Sequence, residues 1–286
     1  MEVLFPSRAG MLPNSGMLHR YYHTYYRFVL NLLSHAGAKI KMIGDTAVAD
    51  GAFALWIDKK KAIIDYSDHL RDGSFRFKND KIPYERGVPI FKSHYSEGVH
   101  EKWERYHPFS PVSFYDWDQY RELSSEIGYK ADGETIINRQ KPYGNAFERR
   151  RDLQRRLIQA FGGKVKFNIL SQLNFWLDVN NCFIAIFCPG CRNDMLDRSP
   201  LQYMAFGCCI ISPKIITMLA YDKVITPFEH YILCEPDYSD IVDRINWAFT
   251  NKEKCLEIGK RAKRLFEEHC TPEKLTKWMV RCLNEY

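Results

Sequence analysis

Apolar positions recur at helical spacing over residues 17–36 and stop at Gly37, which predicts an amphipathic helix with a glycine end. Short apolar runs follow at 39–43, 53–57 and 62–64. The last of these leads into Asp65, Tyr66, Ser67, Asp68 and His69. A further run at 88–92 ends near His94. Each has the length of a strand, with turn-forming residues at its end. Between 95 and 133 the pattern weakens, with Pro108, Pro111 and a short helix near 117–127. That stretch reads as a crossover between domains.

From Thr135 the alternation becomes regular. Strands are predicted at 135–138, 164–167, 182–187, 208–212 and 231–234. Helices are predicted at 147–161, at 171–179, from Pro200 to a stop at Gly207, at 238–249 and at 251–285. Strand, helix and strand at this tempo indicate a parallel α/β unit, and near-continuous apolar strands suit a sheet covered on both faces. The expected fold is α/β with two Rossmann-like domains, the N-terminal one small. The division is expected at 1–130, with the crossover, and 131–286, with the C-terminal helices.

In such sheets ligands sit beyond the carboxyl ends of the strands, so the loops after 138, 187, 212 and 234 are the ones to inspect. The loop after 187 carries Arg192 and Arg198 and then Ser199-Pro200, an N-cap followed by a proline suited to a first helical turn. A helix start there offers free N–H groups to a phosphate, and the two arginines add charge-assisted bonds. Gln202, one turn in, is placed to meet a ribose or a base. The loop after 138 offers Arg139, Lys141 and Gly144 to a diphosphate. Each feature also has a plain reading, as a helix start, a surface arginine or a turn. Their convergence on one end of the sheet favours the ligand-binding one. Neither GxGxxG nor GxxxxGK[ST] occurs, which disfavours a dinucleotide-dependent dehydrogenase and a P-loop hydrolase.

Composition narrows the class. The 286 residues are 45% hydrophobic with a formal net charge of +6, enough apolar material for real cores and only a mild basic excess. No run is long enough to span a bilayer and no leader pattern is legible, so a cytoplasmic location is expected. Nine cysteines, several inside apolar runs, read as buried thiols of a reducing compartment. Cys188-x-x-Cys191 has no second ligand pair, and Asp116-Trp117-Asp118 sits in the crossover, so no metal site is assigned. The basic residues of 252–264 are interleaved with glutamates and read as a solvated helical face.

The run Arg198-Ser199-Pro200-Leu201-Gln202-Tyr203-Met204-Ala205-Phe206-Gly207-Cys208-Cys209-Ile210-Ile211-Ser212 resembles the C-terminal domain of GT-B glycosyltransferases. His230-Tyr231-Ile232, Asp237-Tyr238-Ser239-Asp240-Ile241 and Trp247-Ala248-Phe249-Thr250-Asn251 add to the likeness. The nearest groups are the exostosin-like and CAP10-like families. Ile64-Asp65-Tyr66-Ser67-Asp68-His69 is similar to xylosyltransferase-like proteins of algal viruses (chloroviruses). The resemblance covers residues 134–280. It implies two domains facing across a cleft, a UDP-sugar donor (xylose or glucose), a glycan acceptor, no required metal or cofactor, no nucleic-acid partner and an inverting transfer. Gln202 departs from the glutamate that many relatives place there. An inverting transfer needs a base for the acceptor hydroxyl, and Asp68, Asp65 and His94 follow strands of the N-terminal half. Asp45 and His69 hold comparable strand-end positions, while Lys92 and His94 are placed to reach the diphosphate across the cleft, a strand-end lysine being otherwise simply solvated. Alternatives are a nucleotide-sugar-modifying enzyme such as an epimerase, or a non-catalytic nucleic-acid or protein interaction domain.

Overall fold

The computed structural model describes residues 1–7, 19–49, 51–67, 82, 85–96, 98, 104–110, 116–125, 134–142, 144–168, 170–190, 196 and 198–286, with the side chains of 19–25, 125, 145, 172 and 198 excepted. The chain forms two compact units, each built on its own sheet, consistent with the GT-B-like architecture expected. Unit 1 comprises Met1–Asp116, Thr217–Val224 and His269–Tyr286; unit 2 comprises Trp117–Ile216 and Ile225–Glu268.

Unit 1 contains β1 (Glu2–Pro6), α1 (His19–His35), β2 (Lys39–Ile43), β3 (Ala47–Ala49), β4 (Ala52–Ile57), β5 (Lys60–Asp65), β6 (Ile90–Lys92) and β7 (Tyr106–Pro108). The strand order is β2-β1-β4-β5-β6-β7, with β3 on β4. β1 pairs parallel with β2, and β5, β6 and β7 are mutually parallel, but β4 runs against both β1 and β5. The reversal follows from a two-residue hairpin at Asp58 and Lys59, whose φ values of 47° and 70° match the type that a right-handed strand twist favours. Asp58 also accepts the Glu2 N–H at 2.7 Å, tying the turn to β1. The predicted helix end is realised: Gly37 takes φ 79°, and the Ala38 N–H reaches back to the Leu33 carbonyl.

Unit 2 contains α2 (Trp117–Ser125), β8 (Ile136–Ile137), α3 (Phe147–Phe161), β9 (Val165–Lys166), α4 (Gln172–Asn181), β10 (Ile184–Ile186), α5 (Arg198–Ala205) and β11 (Cys209–Ser212). The chain then returns to unit 1 for the small hairpin β12 (Met218–Leu219) and β13 (Lys223–Val224). Unit 2 resumes with β14 (Ile232–Leu233), α6 (Ile241–Thr250) and α7 (Lys252–His269), and α8 (Pro272–Asn284) belongs to unit 1. The unit 2 sheet is wholly parallel, in the order β9-β8-β10-β11-β14. α3 packs with α6, while α4 packs with α5 and α2. The side chains of β8, β10 and β11 are buried, as strands covered by helices on both faces require.

Two expectations are corrected. The 251–285 helix is two helices, because Thr271-Pro272 gives α8 its own start, with proline in the first turn. The boundary at 130/131 also differs from the observed units. Leu275, Trp278, Met279, Cys282 and Leu283 of α8 pack with Val3, Phe5, Phe53 and Ile64, so the last helix completes the N-terminal core.

α7 meets the turn between α5 and β11 at unusually close range. Gly207 in that turn has φ 66°, and a Cβ placed on Gly259 of α7 would lie 2.2 Å from the Gly207 carbonyl oxygen. On α7 the exposed Lys260 pairs with Glu257 at 3.1 Å, as expected of a solvated face, whereas Lys263, only 16% exposed, pairs with Glu267 at 3.6 Å. Trp117 is buried and stacks on Phe266, while the exposed Asp118 pairs with Arg121 at 3.4 Å. Trp117 therefore anchors α2. Among the described residues no helix is long and apolar enough to cross a membrane.

Candidate functional site

In unit 2 the chain steps from β8 outward to β9 and then passes back over β8 to β10, so the topological switch point lies between β8 and β10. Ligands of doubly wound sheets sit at the carboxyl ends of the strands that flank such a point. Those ends are the segment from Asn138 to Pro142 and the segment from Phe187 to Gly190.

Gln140, a residue the sequence reading passed over, joins the two. Its Oε1 accepts the Cys188 N–H at 2.5 Å, and its Nε2 donates to Ser199 Oγ at 3.4 Å. One buried amide thus touches the loop after β8, the loop after β10 and the first turn of α5. The first turn of α3 holds the same loops from the other side. Arg149 Nη2 donates to Pro189 O at 2.5 Å. Arg150 donates to Cys188 O and to Lys141 O. The Tyr238 hydroxyl donates to Phe187 O at 3.0 Å, and burial holds that phenol well above its ordinary titration range.

At the β8–β9 edge of the sheet lies a pocket of about 620 Å³, lined by Arg139, Val165, Lys166, Phe167, Asn168, Leu170, Asn174, Leu177 and Asp178 among others. Its size is within the ordinary range for small-molecule sites. The Arg139 side chain is only 6% exposed. It donates to the Asn168 carbonyl and forms an ion pair with Asp178, whose other oxygen takes Lys166 Nζ at 3.3 Å. Two cations share one carboxylate, leaving a net positive charge at the carboxyl ends of β8 and β9. Arg139, expected from the sequence at a ligand site, lines this pocket.

The remaining sequence candidates are distributed as follows. Arg192, Asp68 and His69 lie outside the described residues, as does Cys191, while Cys188 is a buried free thiol. Arg198 begins α5, so the helix starts earlier than the expected Pro200 and places Ser199 and Pro200 in its first turn. Ser199 is half-buried, next to Gln140 and Tyr203; burial raises the Tyr203 phenol and the Ser199 hydroxyl partly offsets this. Lys141 is exposed. Gln202 is buried, and its Oε1 accepts the Trp176 indole N–H at 3.0 Å, so it joins α5 to α4. Asp65 and Lys92, at the carboxyl ends of β5 and β6, are both fully buried and paired at 3.3 Å. Ser67 completes that cluster: its Oγ and N donate to Asp65 Oδ1 at 2.6 and 3.1 Å, and its carbonyl accepts from Lys92 at 2.5 Å. Lys92 is therefore a buried partner of Asp65, where a solvated or phosphate-directed lysine was expected. His94 is buried in the segment that follows β6, and Asp45 Oδ1 accepts the Ala47 N–H at 3.0 Å. Among the described residues no group of three or more His, Cys, Asp or Glu side chains is arranged to hold a metal ion.

Comparison with known proteins gives two kinds of similarity. At the level of class, a profile of the family described as "Glycosyl transferase family 90" matches residues 218–286, from β12 to the end of α8 and the residues beyond it. At the level of individual proteins, the chain is 29% identical over 83 residues to uncharacterized protein 179R of Invertebrate iridescent virus 6. That stretch is 27% of this chain and 7% of the viral protein. Among solved structures, Anabaena Alr3699/HepE in complex with UDP is similar over 69% of this chain and 64% of its own, at 11% identity and TM-score 0.48. An alpha-glucosyltransferase in complex with UDP-glucose and DNA containing an abasic site is similar over 68% of this chain and 65% of its own, at 10% identity and TM-score 0.45.

Proposed function

We propose that this chain is a glycosyltransferase that moves a sugar from a UDP-sugar to a glycan hydroxyl. Unit 2 binds the donor, with its nucleotide across the carboxyl ends of β8, β9 and β10. The observation that carries the reading is the positively charged pocket containing Arg139 and Lys166, at the β8–β9 edge of a parallel sheet. The profile match over 218–286 supports the transferase class. The similar structures named above are complexes with UDP or with UDP-glucose.

In this reading Arg139 and Lys141, with Arg192 and Arg198, offset the charge of the departing diphosphate, and the start of α5 adds its N–H groups. No metal ion is needed for that role. Transfer is inverting, with xylose or glucose as the sugar. Asp68 is the proposed base for the acceptor hydroxyl. Asp65 suits that task less well, since both of its carboxylate oxygens are held by Ser67 and Lys92.

Titration of the purified chain with UDP, GDP and CMP, with and without EDTA, tests the proposal. Saturable binding of UDP that survives EDTA is the expected result. Absence of binding by any of the three nucleotides sinks it. Asp68→Asn is expected to abolish sugar transfer while leaving UDP affinity unchanged.

A further inference from the structure

Arg150 sits in the first turn of α3 and is 3% exposed. Its Nε and Nη2 both donate to the Cys188 carbonyl, at 3.2 and 3.0 Å, and its Nη1 donates to the Lys141 carbonyl at 3.0 Å. Both carbonyls precede prolines, Pro189 and Pro142. A proline supplies no N–H, so each loop lacks at that point a backbone donor that would help fix it. The peptide of Cys188 is held at both ends, its N–H by Gln140 at 2.5 Å and its carbonyl by Arg150. Gln140 passes the chain of bonds on to Ser199 at 3.4 Å.

We propose that Arg150 is a positioning residue of the donor site, a planar clamp that sets the loops after β8 and β10 at the spacing a nucleoside diphosphate requires. The proposal rests on the functional reading above and adds to it a residue that need not touch the ligand. The guanidinium is suited to this because it presents a rigid fork, two arms to one carbonyl and a third to the other. A lysine at the same place keeps the charge but offers a single ammonium, which cannot span both acceptors in that geometry. The clamp also brings its positive charge to the underside of the segment Cys188-Pro189-Gly190, adding to the field that Arg139 and Lys166 create nearby.

The test compares wild type, Arg150→Lys and Arg150→Met with Lys263→Met, a control in the same unit whose lost bond to the Ser124 carbonyl (3.3 Å) lies away from these loops. UDP affinity is measured by calorimetry at a temperature where every variant is folded, and amide hydrogen exchange is followed at Cys188. Arg150→Lys is expected to weaken UDP binding by about tenfold or more, the size of losing charge-assisted bonds to a buried group. It should also speed exchange at Cys188, while Lys263→Met changes neither. If wild type binds UDP and Arg150→Lys binds it equally well, the clamp is refuted. Should wild type bind no nucleotide, the functional reading fails instead, and Cys188 exchange alone decides whether Arg150 fixes the loops: unchanged exchange overturns that too.

Discussion

Replacing Gly259 with alanine sets two physical effects against each other, and the structure says which one wins. α7 is a helix of 18 residues with Gly259 in its interior. Helix propensity alone predicts that alanine there stabilises by about 1 kcal/mol. The added methyl, however, would lie 2.2 Å from the Gly207 carbonyl oxygen, 3.0 Å from its carbonyl carbon and 3.3 Å from the Cys208 carbonyl carbon. These are backbone atoms, which cannot rotate aside, so relief needs α7 to retreat by more than about 1 Å. That retreat loosens Cys255, Ile258, Ala262, Leu265 and Phe266, all buried on the same helix. Overpacking of this kind costs about 1–3 kcal/mol, and rigid neighbours place it at the upper end. The net expectation is a loss of about 2 kcal/mol, or roughly 4–8 °C in melting temperature for a unit of this size. Gly207→Ala has room, with its nearest neighbour at 3.6 Å, but φ 66° makes it cost about 1 kcal/mol. Gly163→Ala meets nothing within 4 Å and has no positive φ, so it should fall within about 0.5 kcal/mol of wild type. Thermal and urea melts followed by circular dichroism give the ranking. A Gly259→Ala protein as stable as wild type, or more so, would refute the close contact.

Lys92→Met strips a fully buried Asp65 of its partner and is expected to destabilise unit 1 by about 3–5 kcal/mol, while the double variant Lys92→Met/Asp65→Leu recovers much of the loss in urea unfolding. Gln202→Leu leaves the Trp176 indole N–H buried without its acceptor, so stability should drop by about 1–3 kcal/mol with UDP affinity preserved; a selective loss of affinity would instead return Gln202 to the ligand. Burial lowers the titration of His107, with Glu285 opposing, and of His230, with Glu229 opposing. Both imidazoles are therefore expected neutral in the native protein at neutral pH, and the Thr226 N–H donating to His230 Nδ1 at 3.0 Å suits that form. The unfolded chain binds more protons below the ordinary value of 6.5, so stability is full above it and declines as pH falls toward the native values. Urea midpoints at about pH 7.5 and pH 5.5 should show a smaller fall in the double variant His107→Gln/His230→Gln than in wild type, and an equal fall would contradict the assignment.

The alternation of strand and helix in unit 2 was legible largely because β8, β10 and β11 are buried on both faces and therefore read as continuous apolar runs. Gly37 and Gly207 announced their helix ends, since only glycine enters the left-handed region without strain. β1 was not seen as a strand. The reversed direction of β4 was equally hidden, since Asp58 and Lys59 adopt a conformation usually announced by asparagine and glycine. At the site, Arg139 was readable from its place after a predicted strand. Gln140 and Arg150 were not, because their roles depend on which carbonyls the fold brings within reach. The pairing of Asp65, read as a candidate base, with Lys92, read as phosphate-directed or solvated, was hidden for a similar reason: adjacent parallel strands bury them against each other, a pairing that no spacing of 27 positions reveals.

The membership of α8 bears on how the protein is made. On a ribosome the five strands of the second sheet have all emerged by Leu233, whereas Trp278 and Met279, which pack against β1 and β5, come much later. The first unit to be translated is therefore the last to be finished, and its nascent sheet must wait with an apolar face uncovered while its neighbour matures. A fragment ending at residue 116 should be captured by chaperones, and a separately supplied α8 peptide should release it.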